Sequence, residues 1–307
     1  MKNLLLLLAL LPSIAFADLQ SEFDDAIRLG IPLVLKGQYR LEKPVVLKPK
    51  DEFSNVSVTV IGNGSWHQIE AMFDGPAIVG YELKDCVFTN IGIRNPLGSG
   101  WQVNAKASSG RMTFTGCRTQ CKTTCFEFLG PFGADISCVT FTGTDMQGAD
   151  TGLKVVGSNA LNFVCTNVTA SFCKTAFDLT QGGCGSTFIG GGASHCGTAY
   201  DVNAGYELNG IGIVVEDTGI ALNIGSGTGS GIDFNFSDCR TTPVLMKSGT
   251  NGGSIHLSAL KAKGAAIKLT GDSPLNYLKL DGAASLCPIA GSHGKVEKGG
   301  VFSATIK

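Results

Sequence analysis

Asp178 and Asp201 hold the sixth place in two nearly identical phrases, C-K-T-A-F-D-L (173–179) and C-G-T-A-Y-D-V (196–202), which begin 23 residues apart. Two carboxyls held at a fixed separation can hydrolyse a glycosidic bond. Retaining enzymes set them about 5–5.5 Å apart and inverting ones about 6.5–9.5 Å apart. Like charges that close also raise one of the two pKa values, which a general acid requires. If the phrases stack at strand spacing, Asp178 and Asp201 fall roughly 5 Å apart, and Glu127, at the matching point of an earlier repeat, lies about 10 Å from Asp178. Lys154, between Glu127 and Asp178 in that order, could neutralise a uronate carboxylate in a lyase. The competing reading is a solvated scaffold, with Lys154 beside Asp178 as a surface ion pair of little energetic weight.

The elements that position these residues follow from the repeat itself. A small residue, an apolar one, a free position and a second apolar one recur at Pro76, Gly100, Cys125, Gly152, Ala176, Ala199, Gly219, Pro243, Ala266 and Pro288, at intervals of 20 to 27 residues. Two apolar columns separated by one free position describe a strand with one buried face. The free column reads Val46, Ile78, Gln102, Glu127, Lys154, Asp178, Asp201, Ala221, Leu245, Lys268 and Ala290. A second strand precedes the first in most repeats, as in V-T-F-T-G (139–143). Repeats of this length that cannot bury their apolar faces alone stack into a solenoid. The pattern lacks the L-x-x-L-x-L of leucine-rich repeats and the hexapeptide period of left-handed β-helices. The expectation is an all-β, right-handed parallel β-helix of about ten coils over residues 31–290, roughly 50 Å long at strand spacing.

An open coil end is a bare sheet edge and needs a cover. Residues 18–30 supply an amphipathic helix with Leu19, Phe23, Ala26 and Ile27 on one face and Gly30 at its end. Residues 291–307 read as a charged C-terminal cap or tail. Residues 1–17, with Lys2, the apolar run Leu4–Leu11 and S-I-A-F-A, read as a secretory signal cut after Ala17. The chain is therefore expected to be secreted or periplasmic, without membrane insertion. A net charge of −1 with only 16% charged residues leaves no basic footprint for nucleic acid. Eleven cysteines in an exported chain permit disulfides. Cys173 and Cys196, on matching positions of adjacent coils, are the expected pair. C-R-T-Q-C-K-T-T-C (117–125) spaces its thiols by four, which suits disulfides or buried thiols better than zinc.

From Phe23 to Gly64 the chain reads F-D-D-A-I-R-L-G-I-P-L-V-L-K-G-Q-Y-R-L-E-K-P-V-V-L, followed by V-T-V-I-G-N-G. This stretch resembles the N-terminal module of the pectate-lyase-like superfamily, in which a capping helix leads into a G-x-Y-x-L strand and a V-T-h-x-G-x-G turn (h apolar). The resemblance implies a right-handed β-helix of the polysaccharide lyase, glycoside hydrolase or phage tailspike type. The chain departs from the family's named enzymes: the N-T-D, D-D, G-H-G and R-I-K set of polygalacturonases is absent, and so are the W-x-D-H and R-x-P-x-x-R elements of pectate lyases.

The candidate machinery is thus Asp178, Asp201, Glu127 and Lys154 for catalysis, with Gln102, Asp145, Asp150 and His195 for substrate contact. No cofactor is expected; a calcium ion at Asp145 and Asp150 is a weak alternative, because such sites gather more carboxylates. Trp66 and Tyr81 are candidate sugar-stacking aromatics, while Trp101 falls in an inward column and belongs to the core. The expected partner is a polysaccharide or cell-surface glycan, bound and then cleaved, or bound without cleavage by an adhesin or virion spike, as a homotrimer in the latter case.

Overall fold

A computed structural model of the chain describes residues 18–51, 54–131, 134–157, 159–203, 207–225 and 231–239, and the segments 245–247, 254–259, 267–270, 277–282, 289–290 and 296–298. The expected signal, residues 1–17, and all but 296–298 of the expected C-terminal cap lie outside the described residues. Among the described residues, one helix, Leu19–Leu29, leads into thirty strands that form a nineteen-stranded and an eleven-stranded sheet. The ladders between successive coils are parallel. The chain is therefore a parallel β-helix. It makes about eight turns where about ten coils were expected. Beyond Gly225 the described strands continue to add to both sheets, from Gly231–Cys239 to Val296–Lys298.

The eleven-stranded sheet carries the repeat. Its inward rungs run Ile78, Trp101, Phe126, Leu153, Phe177, Tyr200 and Leu222. Two repeats therefore sit differently from the expectation. Ala77, not Pro76, and Ala221, not Gly219, precede these inward residues and share the buried small column with Gly100, Cys125, Gly152, Ala176 and Ala199. Space sets the size limit in that column. A Cβ on Gly100 would come within 2.6 Å of the Cys125 carbonyl oxygen, and one on Gly152 within 2.5 Å of that of Ala176.

Rings stacked coil on coil fill the interior. Phe88, Phe114 and Phe141 stack at 5.0 and 4.9 Å, and Phe177 and Tyr200 at 4.7 Å. Edge-to-face contacts such as Phe114–Phe126 at 5.3 Å join the columns, and Trp101 is 1% exposed, as its inward position required.

A second column keeps the corners of the nineteen-stranded sheet in phase. Asn90, Gly116, Gly143, Asn167, Gly190 and Gly212 all have φ between 51° and 67°. Only glycine and, at small cost, asparagine enter this left-handed region routinely. Each corner from Asn90 to Gly190 donates its N–H to a carbonyl of the next coil, as Gly116 does to Thr142 at 2.8 Å.

The N-terminal edge is closed by the helix. The Asp18 side chain accepts from Gln20 N at its start, Gly30 ends it at φ 66°, and Leu19, Phe23 and Ala26 are buried. The amide of Gln20 replaces the missing strand. Its Nε2 donates to Val46 O at 2.9 Å, and its Oε1 accepts from Val46 N at 2.7 Å. One side chain thus satisfies both backbone groups of Val46 at the sheet edge. Gln20→Leu should leave that donor and acceptor unmet and destabilise the fold by about 1–3 kcal/mol, read as a lower urea midpoint. An unchanged midpoint would mean that the helix caps by apolar burial alone.

Candidate functional site

In-register stacking of Ser99–Asn104, Thr124–Leu129, Thr151–Val156, Thr175–Gln181, Thr198–Asn203 and Ile220–Gly225 lines up one outward position. It holds Gln102, Glu127, Lys154, Asp178, Asp201 and Asn223. Val46 and Val79 occupy the rungs below, and Leu245, Lys268 and Ala290 those above. The expected Ile78 and Ala221 are instead fully buried, and Val79 and Asn223 take their rungs. The polar run is therefore six rungs long rather than five. Asn223 escaped the sequence reading because I-A-L (220–222) and L-N-I (222–224) both fit an apolar–free–apolar strand, and Gly219 drew the choice to the first.

The ladder is linked by hydrogen bonds. Glu127, with its side chain 16% exposed, accepts from Gln102 Nε2 at 2.9 Å on one oxygen and from Lys154 Nζ at 3.0 Å on the other. Asp178 Oδ1 accepts from its own strand, from Thr180 N at 3.1 Å and Thr180 Oγ1 at 2.7 Å. Asp201 Oδ1 accepts from Asn223 Nδ2 at 2.8 Å, while the buried Asn223 Oδ1 has no partner among the described residues. Asp178 and Asp201 are direct neighbours across parallel strands, which lie about 4.8 Å apart. The strip offers hydrogen-bonding groups on every rung along the coil axis, one per strand spacing of about 4.8 Å.

The remaining candidates lie elsewhere. Asp145 is on the nineteen-stranded sheet, where Thr169 Oγ1 donates to it and Arg118 Nε lies 3.8 Å away. The Arg118 guanidinium in turn sits 5.4 Å from the centre of the Trp66 ring. Asp150 forms an exposed corner ion pair with Lys174 at 2.7 Å. His195 lies at the same corner, stacked at 4.8 Å on Phe172. Asp145 and Asp150 thus point to different surroundings, and among the described residues no three His, Cys, Asp or Glu side chains gather as a metal site. Phe172 was missed although a signal existed. The repeated phrase extends two residues backwards, S-F-C (171–173) against S-H-C (194–196), and pairs Phe172 with His195.

The expected Cys173–Cys196 disulfide is not formed; both thiols are free. Cys173 Sγ donates to Ser171 O at 3.5 Å and Cys196 Sγ to Ser194 O at 3.3 Å, and the two thiols lie within hydrogen-bonding reach of each other. Cys117, Cys121 and Cys125 are buried thiols, with 3.5 Å between the sulfurs of the last two. Burial pushes the Cys86 thiol up to about 11 and that of Cys117 up to about 12, so neither is a nucleophile at neutral pH. Native protein treated with a maleimide should be labelled at Cys138 and Cys184, the described cysteines that are not buried. Cys86, Cys117, Cys121, Cys125, Cys165, Cys173 and Cys196 should react only after denaturation. Peptide mass spectrometry checks this, and a Cys173–Cys196 peptide two hydrogens light would contradict it.

No family model matches the chain, and no curated protein matches it.

Proposed function

We propose that this chain is an exported β-helix that grips a polysaccharide or cell-surface glycan along the outward ladder of its eleven-stranded sheet. The observation that carries this reading is the run of six consecutive polar rungs, Gln102 to Asn223, bounded by Val79 and Leu245. A polymer of hydroxyl-bearing units is matched by a polymer of hydrogen-bonding rungs. Both Glu127 oxygens are engaged by neighbouring side chains, and Asp178 and Asp201 each have an oxygen engaged too. This supports binding over acid–base chemistry, and favours a noncatalytic adhesin or spike over a lyase or hydrolase.

A second reading, retaining hydrolysis by Asp178 and Asp201, draws support from their adjacent rungs. Strand spacing of about 4.8 Å is close to the carboxyl separation of about 5–5.5 Å in retaining enzymes. Incubation of the mature protein with bacterial and plant polysaccharides separates the two readings, with reducing ends, unsaturated-uronate absorbance and gel retardation as the measurements. Retardation without cleavage is expected. Asp178→Asn, Asp201→Asn and Lys154→Ala should each weaken binding about tenfold, the equivalent of roughly 1.4 kcal/mol for one hydrogen-bonding group. New reducing ends that vanish in both Asp variants would replace the binding reading with the hydrolytic one.

A further inference from the structure

At the corner that leads into the eleven-stranded sheet, four successive turns place Gly148, Phe172, His195 and Asp217 in the left-handed region, at φ 73°, 57°, 54° and 44°. They form one column: Phe172 N donates to Ser194 O at 3.1 Å and His195 N to Glu216 O at 3.0 Å. Glycine meets this backbone demand without strain, as Gly148 does. A bulky aromatic there is an outlier of the kind that is retained at functional positions. Phe172 gains no burial in exchange, being 57% exposed.

Its ring stacks on His195 with 23° between the planes, and His195 Nε2 lies 3.6 Å from Asp217 Oδ2. An open aromatic face, an imidazole and a carboxylate thus follow one another along the edge. The same two coils carry the paired aspartates, with Phe172 six residues before Asp178 and His195 six before Asp201. Six extended residues reach at most about 20 Å, the length of a short oligosaccharide.

We propose that Phe172 is a sugar-stacking platform for a neutral polysaccharide. Its open ring takes the C–H face of a pyranose, His195 and Asp217 hydrogen-bond to hydroxyls beside it, and the chain continues across the corner to Asp178 and Asp201. Charge selects the neutral class. Three of the four charged ladder residues, Glu127, Asp178 and Asp201, are acidic and would repel a polyuronate, while Asp150 and Lys174 compensate each other at the corner. The inference rests on the glycan-binding reading above.

Affinity electrophoresis in gels containing neutral polymers (β-glucan, xylan, mannan, dextran) or acidic ones (polygalacturonate, alginate) tests it. The wild-type chain is retarded by a neutral polymer. Phe172→Ala raises the dissociation constant about fivefold, the range of one aromatic contact, and Phe172→Trp binds as well or better. Phe172→Gly binds as weakly as the alanine variant but melts no lower than wild type, because glycine relieves the left-handed strain; a merely structural Phe172 would give the opposite result. Full retention in both Phe172→Ala and Phe172→Gly, with loss in Asp178→Asn, overturns the platform and leaves the ladder standing. Retention by acidic polymers alone overturns the neutral class, and retardation by no polymer overturns the platform and the glycan reading together.

Discussion

Each coil of this chain forms its ladder hydrogen bonds with the coils on either side, so register between parallel neighbours is the constraint on which every other feature depends. Once Trp101 lies over Phe126 and Phe126 over Leu153, the next residue of each strand must point outward at the same height. The polar ladder is a consequence of that alignment. A one-residue slip would send Glu127 or Asp178 into a core of stacked phenylalanines, where an uncompensated carboxylate costs several kcal/mol. The buried face therefore enforces the geometry of the exposed one.

Stacking identical positions has a price that the side chains visibly manage. Like charges on adjacent rungs oppose each other, and the ladder surrounds its acids with neutral or cationic neighbours: Gln102 and Lys154 on either side of Glu127, and Asn223 beyond Asp201. Where Asp178 and Asp201 meet directly, Thr180 holds an oxygen of Asp178 within its own strand. Corners face a parallel problem of backbone shape, and the column from Asn90 to Gly212 solves it with two residue types.

Much of this was legible in the sequence because burial repeats with the coil. The inward columns, the core position of Trp101, the capping helix and the rung order Gln102, Glu127, Lys154, Asp178, Asp201 all follow from small and apolar residues recurring at nearly constant intervals. The errors arose where that signal is degenerate. Around Ala77 and Ala221 two frames of the same template are equally apolar, so the pattern alone does not choose between them. The Cys173–Cys196 pairing failed for a related reason. Matching positions bring the two thiols within hydrogen-bonding reach of each other without joining them, and each also donates to a carbonyl of its own coil. Asp145, Asp150 and His195 were grouped by chemistry, whereas the coil distributes them over a sheet face and a corner.

The contact between Gln20 and Val46 also covers an edge that another strand would extend. The helix carries a side-chain imitation of a strand, and behind it Val45–Leu47 presents the hydrogen-bonding pattern that every later coil extends. Proteolytic loss of residues 19–29 would uncover an edge suited to the terminal strand of another molecule. Such head-to-tail addition has no rotational closure and grows as a fibre. Eleven residues of helix therefore stand between this edge and a strand from another molecule.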